Sequence, residues 1–232
     1  MAKAPTTARE IKTKVDNCVL YTDGCLRIDL VRGSYLHLDQ PWGGKPFRDK
    51  QTGEIVTPKK KYQGKFWMPQ KPEFVPARKL VVARVNECMA DAKIEALASE
   101  KKFIRKGSDL GKPELKEFYV ITASEDNPPA LRDRAGKKIT DPVKIKKELY
   151  SGAWYSILIR PWAQVSQEFG NRINAGLSAV RRMPTPAGWP DENFGGQREL
   201  EDDEVDDIYS DIEGEDLDDD DLNSGFDDDD EL

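Results

Sequence analysis

The sequence has a single histidine, three cysteines, and no apolar run approaching the roughly 18 to 20 residues of a membrane span. Each shortage excludes a class of function. With only His37, no pair of histidines can hold a metal, and a Ser-His-Asp centre would have to use that one ring without any nucleophile motif. Cys18, Cys25 and Cys88 are odd in number and far apart. They suit neither a disulfide framework nor a Cys-x-x-Cys zinc site, so free thiols in a reducing cytosol are expected. The opening Met1–Thr6 lacks the apolar core of a secretory signal, which predicts a cytoplasmic protein without a membrane partner. A Gly-x-x-x-x-Gly-Lys-Ser/Thr phosphate loop is missing, and Gly43-Gly44-Lys45 is too short and too proline-flanked to replace it. These absences predict a protein that is not an enzyme and needs no cofactor or metal.

Basic residues are missing from one region only. The 34 residues from Glu199 to Leu232 hold 20 of the 43 acids and none of the 36 bases, so residues 1–198 carry 23 acids against 36 bases. The whole-chain charge of −7 therefore conceals a body near +13 and a tail of −20. A body so charged prefers polyanions. The tail has too little apolar surface to offset its ordering entropy, and is expected to be disordered. Its Asp218–Asp221 run lacks the fixed spacing and turn glycine of a calcium loop.

Within the body, residues 1–16 read as a flexible lead-in, 17–183 as the folded domain, 184–198 as a Pro/Gly linker and 199–232 as the acidic tail. Period-two alternation predicts a strand from Cys25, with Leu26, Ile28 and Leu30 on one face, Gly33 as a bulge or bend, then Leu36 and Leu38 opposite Tyr35 and His37. After a loop over 39–60, Lys61–Met68 predicts a strand with Tyr62, Phe66 and Met68 on one face and Lys61, Gln63, Lys65 and Trp67 on the other. Val81, Val85, Cys88, Ala92 and Ala96 recur at helical spacing and predict a helix from Ala77 to about Lys101. Phe118–Thr122, Ala153–Arg160 and Arg172–Met183 read as further strands, and Val143–Tyr150 as a short helix or turn. Five or more strands with one helix inserted midway suit a small barrel or a related β-rich fold.

Single strands of nucleic acid are held by cations that track phosphates and by rings that stack on bases. Three groups offer both. Trp42 and Phe47 flank Lys45 and Arg48. Lys59, Lys60 and Lys61 lead into the strand whose outer face carries Lys65 and Trp67, with Tyr35 on the polar side of the strand before it. In the late strand, inward Tyr155, Ile157 and Ile159 leave Trp154, Ser156, Arg160 and Trp162 outside. The alternative for each ring is that it seals the barrel ends or packs under the long loops. Lys101, Lys102, Arg105 and Lys106 either touch phosphates or complement the preceding helix terminus, and Arg181-Arg182 either do the same or form a solvated strand end.

Several ordered segments carry a resemblance: Ser34-Tyr35-Leu36 before a Pro/Gly loop, Lys61–Phe66 closing on Pro69, Phe118–Ser124 leading to Pro128-Pro129, Tyr150–Tyr155, and Gly176–Val180 before the linker. Together they resemble phage-encoded single-stranded-DNA-binding proteins of the OB-fold type with an acidic C-terminal tail. The resemblance implies a mainly β, five-stranded OB-fold-like barrel with an inserted helix. It also implies sequence-independent binding and protection of single-stranded DNA in phage replication, recombination or repair. The tail, with Phe226, Asp227, Asp228, Asp229, Asp230, Glu231 and Leu232 at its end, would dock replication or recombination proteins, compete for the basic groove, or serve only as a solubilising, repulsive segment. In such tails the last residue is commonly aromatic, and here it is Leu232. An acidic-tailed chaperone or scaffold for basic proteins, and an RNA-binding OB protein, are the competing readings. Monomer and dimer are both open.

Overall fold

The computed structural model describes residues 9–44, 46–48, 53–167 and 170–189. The chain opens with a hairpin of β1 (Ile11–Val15) and β2 (Cys18–Tyr21), whose turn places Asn17 in the left-handed region that asparagine tolerates. Part of the expected flexible lead-in is thus an edge strand. Ile11 to Lys14 are all exposed, so backbone pairing rather than a buried face holds the strand, and no alternation betrays it.

A 17-residue strand, β3 (Leu26–Trp42), follows. It has two kinks, at Leu30 (φ 55°) and Tyr35 (φ 48°), rather than the bend expected at Gly33. Gly33 serves a different need. A Cβ there would lie 2.5 Å from the Tyr155 ring, which is fixed by its hydroxyl donating to the Tyr150 carbonyl (2.6 Å) and by edge-on packing with Phe66. Gly33→Ala is expected to cost about 1–3 kcal/mol through overpacking, read as a lower urea midpoint at unchanged slope. A midpoint equal to wild type would mean that the ring yields.

Next come a small hairpin of β4 (Phe47–Arg48) with β5 (Ile55–Val56), which belongs to a compact unit of its own, and then β6 (Lys61–Pro69). Helix α1 (Val75–Asp91) buries Ala77, Val81, Val85 and Cys88 and packs on β2 and β11 (Trp154–Gln164). It ends about ten residues before the helix-forming composition does. Lys93 turns left-handed (φ 55°), and the Ile94 amide donates back to the Met89 carbonyl (2.8 Å), tucking Ile94 into the core. Burial of Ile94 outweighs the helix propensity of Glu95–Ala98.

The remaining elements are β7 (Ile104–Lys106), β8 (Phe118–Glu125), β9 (Ala130–Arg132), β10 (Lys138–Ile139), α2 (Pro142–Glu148) and β12 (Arg172–Arg182). Asp141 caps α2 through the Val143 amide, and β12 is the strand that its period-two pattern predicted. The basic turn Lys101–Lys106 does not cap α1, since it lies beyond the early helix end: Lys101 closes a 3-10 turn, and Arg105 and Lys106 belong to β7.

The sheet runs β10-β9-β12-β11-β3-β6-β8-β7, with β1 and β2 added beside the start of β3. Among the described strands every pairing is antiparallel except β12 with β9, and an isolated parallel bridge joins Lys102 to Ile173. Phe103 links the two arms, its amide donating to Ile173 on β12 and its carbonyl accepting from Thr122 on β8. The fold is thus mainly β with a helix between β6 and β7 and more than five strands, as the residue patterns predicted, whereas the resemblance implied five. Its core, including Leu26, Ile28, Phe66, Met68, Ile121, Tyr155, Ile157 and Leu177, lies on the inward faces. All three thiols are buried and free; burial, reinforced by Asp29, pushes Cys18 up to about 12 and keeps it protonated. No described helix is long and apolar enough to cross a membrane.

Candidate nucleic-acid interface

The outward face of the β3-β6-β8-β7 arm divides into two halves. Register sets its membership: Ser34 pairs with Lys65 and Lys65 with Thr122, while Arg32 pairs with Trp67 and Trp67 with Val120. Arg105 on β7 pairs with Val120 and joins the same face.

In the half nearer Trp42, one extra residue on β3 between Ser34 and His37 makes a bulge. The bulge swings Tyr35 toward β6, so that the Lys65 Nζ stands 4.7 Å from the Tyr35 ring centroid. Two residues on, His37 stacks flat on Trp42, with centroids 4.8 Å apart and planes 7° apart. Burial lowers the His37 pKa against the opposing pull of Asp39, so at neutral pH the ring is a neutral stacking partner. Burial also lowers the Lys65 pKa, and Lys112 and Arg105 add to that effect by repulsion. Lys112 and Arg105 thus add positive charge around Lys65, the cation that stands over Tyr35. Beside Trp42, the register partner Lys61 belongs to a basic run in which Lys59 and Lys61 approach Asp126 at 2.5 and 4.0 Å. The Lys59 hydrogen bond is the main reason the Asp126 carboxyl stays below its usual range. These ion pairs are exposed, so they are worth little and a phosphate can displace the carboxylate. Lys60 is exposed beside them.

The other half corrects two expectations. Trp67 and Trp154 do project to the outer side, in a row Trp154–Arg32–Trp67 set by strand register. Neither ring reaches the surface, with exposures of 5% and 0%. The outer face is itself covered. Leu115 and Phe118 pack on Trp67, and Trp189 folds back from beyond β12 to lie edge-on to Trp154 (5.1 Å) and against Phe118 (6.2 Å), under the Lys71 ammonium (3.8 Å). These two tryptophans are core, not stacking platforms. Arg182 is also buried rather than a solvated strand end, with its guanidinium over the Tyr150 ring and bonded to the Tyr150 hydroxyl.

Arg160 and Trp162 are exposed on the far part of β11, where their register partners are Gly176 and Asn174, and form a group separate from Tyr35 and Trp42. Arg48 belongs to the β4–β5 hairpin along with the backbone of Phe47. Lys45 and the tail residues Phe226 to Leu232 lie outside the described residues. The sequence reading did not assign His37 or Lys112 to the face. Alternation did place His37 beside Tyr35, whereas nothing local to Lys112 signals that its loop returns to Lys65.

No family model and no curated protein sequence matches the chain. Solved structures do. The single-stranded DNA-binding protein from bacteriophage Enc34 is similar at a TM-score of 0.69 and 29% identity, over 87% of this chain and 99% of that one. The same phage protein in complex with ssDNA is similar at 0.68 and 30% identity, over 82% of this chain and 100% of that one. Its C-terminal truncation is similar at 0.67 and 29%, over 80% and 98%.

Proposed function

Because this chain belongs to the phage single-stranded-DNA-binding proteins, of which the Enc34 protein is one, we propose that it covers single-stranded DNA during phage replication, with the strand lying across the Tyr35–Trp42 half of the sheet face. The observation that carries the placement is the pairing of rings with cations on one face: Lys65 over Tyr35, and the His37–Trp42 stack beside Lys59 to Lys61. Bases stack on Tyr35 and Trp42 while Lys65, Arg105, Lys112 and the lysine run neutralise phosphates. None of these contacts reads a base edge, so binding is independent of sequence. The function is binding rather than catalysis, and its setting is the host cytoplasm.

The tail enters through charge. Twenty carboxylates tethered to a body of +13 compete with phosphates for the same cations, and the contest is strongest at low salt. Docking of replication or recombination proteins on the same segment is compatible with that role.

Titration of the full chain with single-stranded DNA, duplex DNA and single-stranded RNA of equal length tests the reading. Tight, strongly salt-weakened binding to single-stranded DNA with quenched tryptophan fluorescence is expected. Equal affinity for the duplex would sink the proposal, and equal affinity for RNA would remove the preference for DNA. Removing residues 199–232 should raise affinity chiefly at low salt, and an unchanged affinity would rule out competition by the tail.

A further inference from the structure

A second concave site lies on the other arm of the sheet, on the outward side of β9, β12, β11 and the start of β3. It is a cleft of about 550 Å³ with the β1–β2 hairpin contributing one wall, a size suited to a nucleotide-scale ligand. Small residues, Ser156 and Ala179, keep part of its floor low, and Leu158 and the Tyr21 ring give it apolar surface. Among the described residues, four arginines line it against a single acid, Asp29. Two of the four are already matched. Arg27 pairs with Asp29 at 3.1 Å, and Arg9 pairs with Asp23.

Arg132 and Arg181 are different. They occupy adjacent strands in direct register, and no carboxylate lies within ion-pair distance of either among the described residues. The turn at Gly136 gathers both heads. Arg132 Nη1 donates to the Gly136 carbonyl (2.8 Å), and a Cβ on Gly136 would stand 3.5 Å from Arg181 Nη2. Like charges held side by side across a ladder are destabilising, and an anion between them reverses the sign. Guanidinium pairs of this kind bind phosphate by forked hydrogen bonds.

We propose that this cleft is a second nucleic-acid subsite, in which Arg132 and Arg181 clamp backbone phosphate and the apolar floor and Tyr21 receive the attached nucleoside. The inference rests on the proposed function, and adds that one strand longer than the principal face engages both sites. Their connection is β3 itself. Arg27 borders the cleft and Tyr35 the principal face, eight residues apart on one strand, or at most about 26 Å in extended chain. OB-type sites span roughly 4–16 nucleotides, so a long strand has the reach to occupy both.

The test uses the full chain carrying Arg132→Glu and Arg181→Glu, with Arg132→Gln and Arg181→Gln as the uncharged version. Binding is measured to oligonucleotides of about 6 and about 30 nucleotides. Affinity for the short strand should stay within about threefold of wild type, which also verifies folding, whereas affinity for the long strand should fall tenfold or more in the Glu form. In the Gln form the salt slope for the long strand should shrink by about 1.4, the loss of two phosphate contacts. Unchanged long-strand affinity overturns the subsite. Raised affinity overturns it too, and would reassign the cleft to acidic protein segments. If wild type fails to bind the short strand, the proposed function fails first, a result distinct from either.

Discussion

Replacing Tyr35 and Trp42 together by alanine is expected to weaken binding to a short single strand by at least about 30-fold, with little loss of stability. The estimate comes from stacking, worth roughly 1–3 kcal/mol for each base on an aromatic platform. Two platforms give about 2–6 kcal/mol if additive, and the lower limit already corresponds to that factor. Stability should change little because both rings are only half-buried, Tyr35 at a bulge and Trp42 at the end of β3. A surface role also predicts the salt dependence. Neither substitution removes a charge, so the slope of affinity against salt should match wild type while the affinity falls at every concentration. A change in slope would mean that the loss of the rings has displaced Lys65 or Lys61. Affinity within threefold of wild type would move the strand off this face, and Arg160 and Trp162 on β11 would become the next surface to test.

The converse result is expected at Trp154. Trp154→Ala should cost about 3–5 kcal/mol of folding stability, the usual range for truncating a buried tryptophan. That is a large share of the total for a domain whose net stability is commonly 5–15 kcal/mol. The ring is fully buried and packs edge-on against Trp189. Binding by the protein that remains folded should be close to wild type, because the ring never meets a base. Urea unfolding and a short-strand titration of the same sample separate the two roles. Trp154→Phe sharpens the comparison. The Trp154 Nε1 is buried without a hydrogen-bond partner among the described residues, so phenylalanine removes an unsatisfied donor and should recover much of the loss. Loss of binding without loss of stability in Trp154→Ala would return this ring to the interface.

The contrast between these residues shows how far local pattern reaches. Alternation assigned Trp67 and Trp154 to the outer side of their strands, and register confirms it. It carried no information on whether that side is wet. The cover consists of Leu115, Phe118 and Trp189, which arrive from 48 or more residues along the chain from Trp67, and no period within a strand encodes their return. Lys112 reaches Lys65 in the same non-local way. The end of α1 was hidden for a related reason, since burial of Ile94 in a distant core overrides a helix-forming run.

The sequence by itself determined that a basic, β-rich body of +13 is followed by an acidic segment without bases, that the strands alternate, and that rings and cations share segments. Charge is a sum over residues and alternation a property of neighbours, so both are readable without a fold. Tertiary structure alone decided which outward rings are available. It buried Trp154 under Trp189 and Trp67 under Leu115 and Phe118, and used a bulge to set Tyr35 beside Lys65. It also brought Arg132 and Arg181 into register at one turn, and 49 positions of chain separate those two residues. Availability depends on what packs above a face, and that is settled by contacts between residues far apart in the chain.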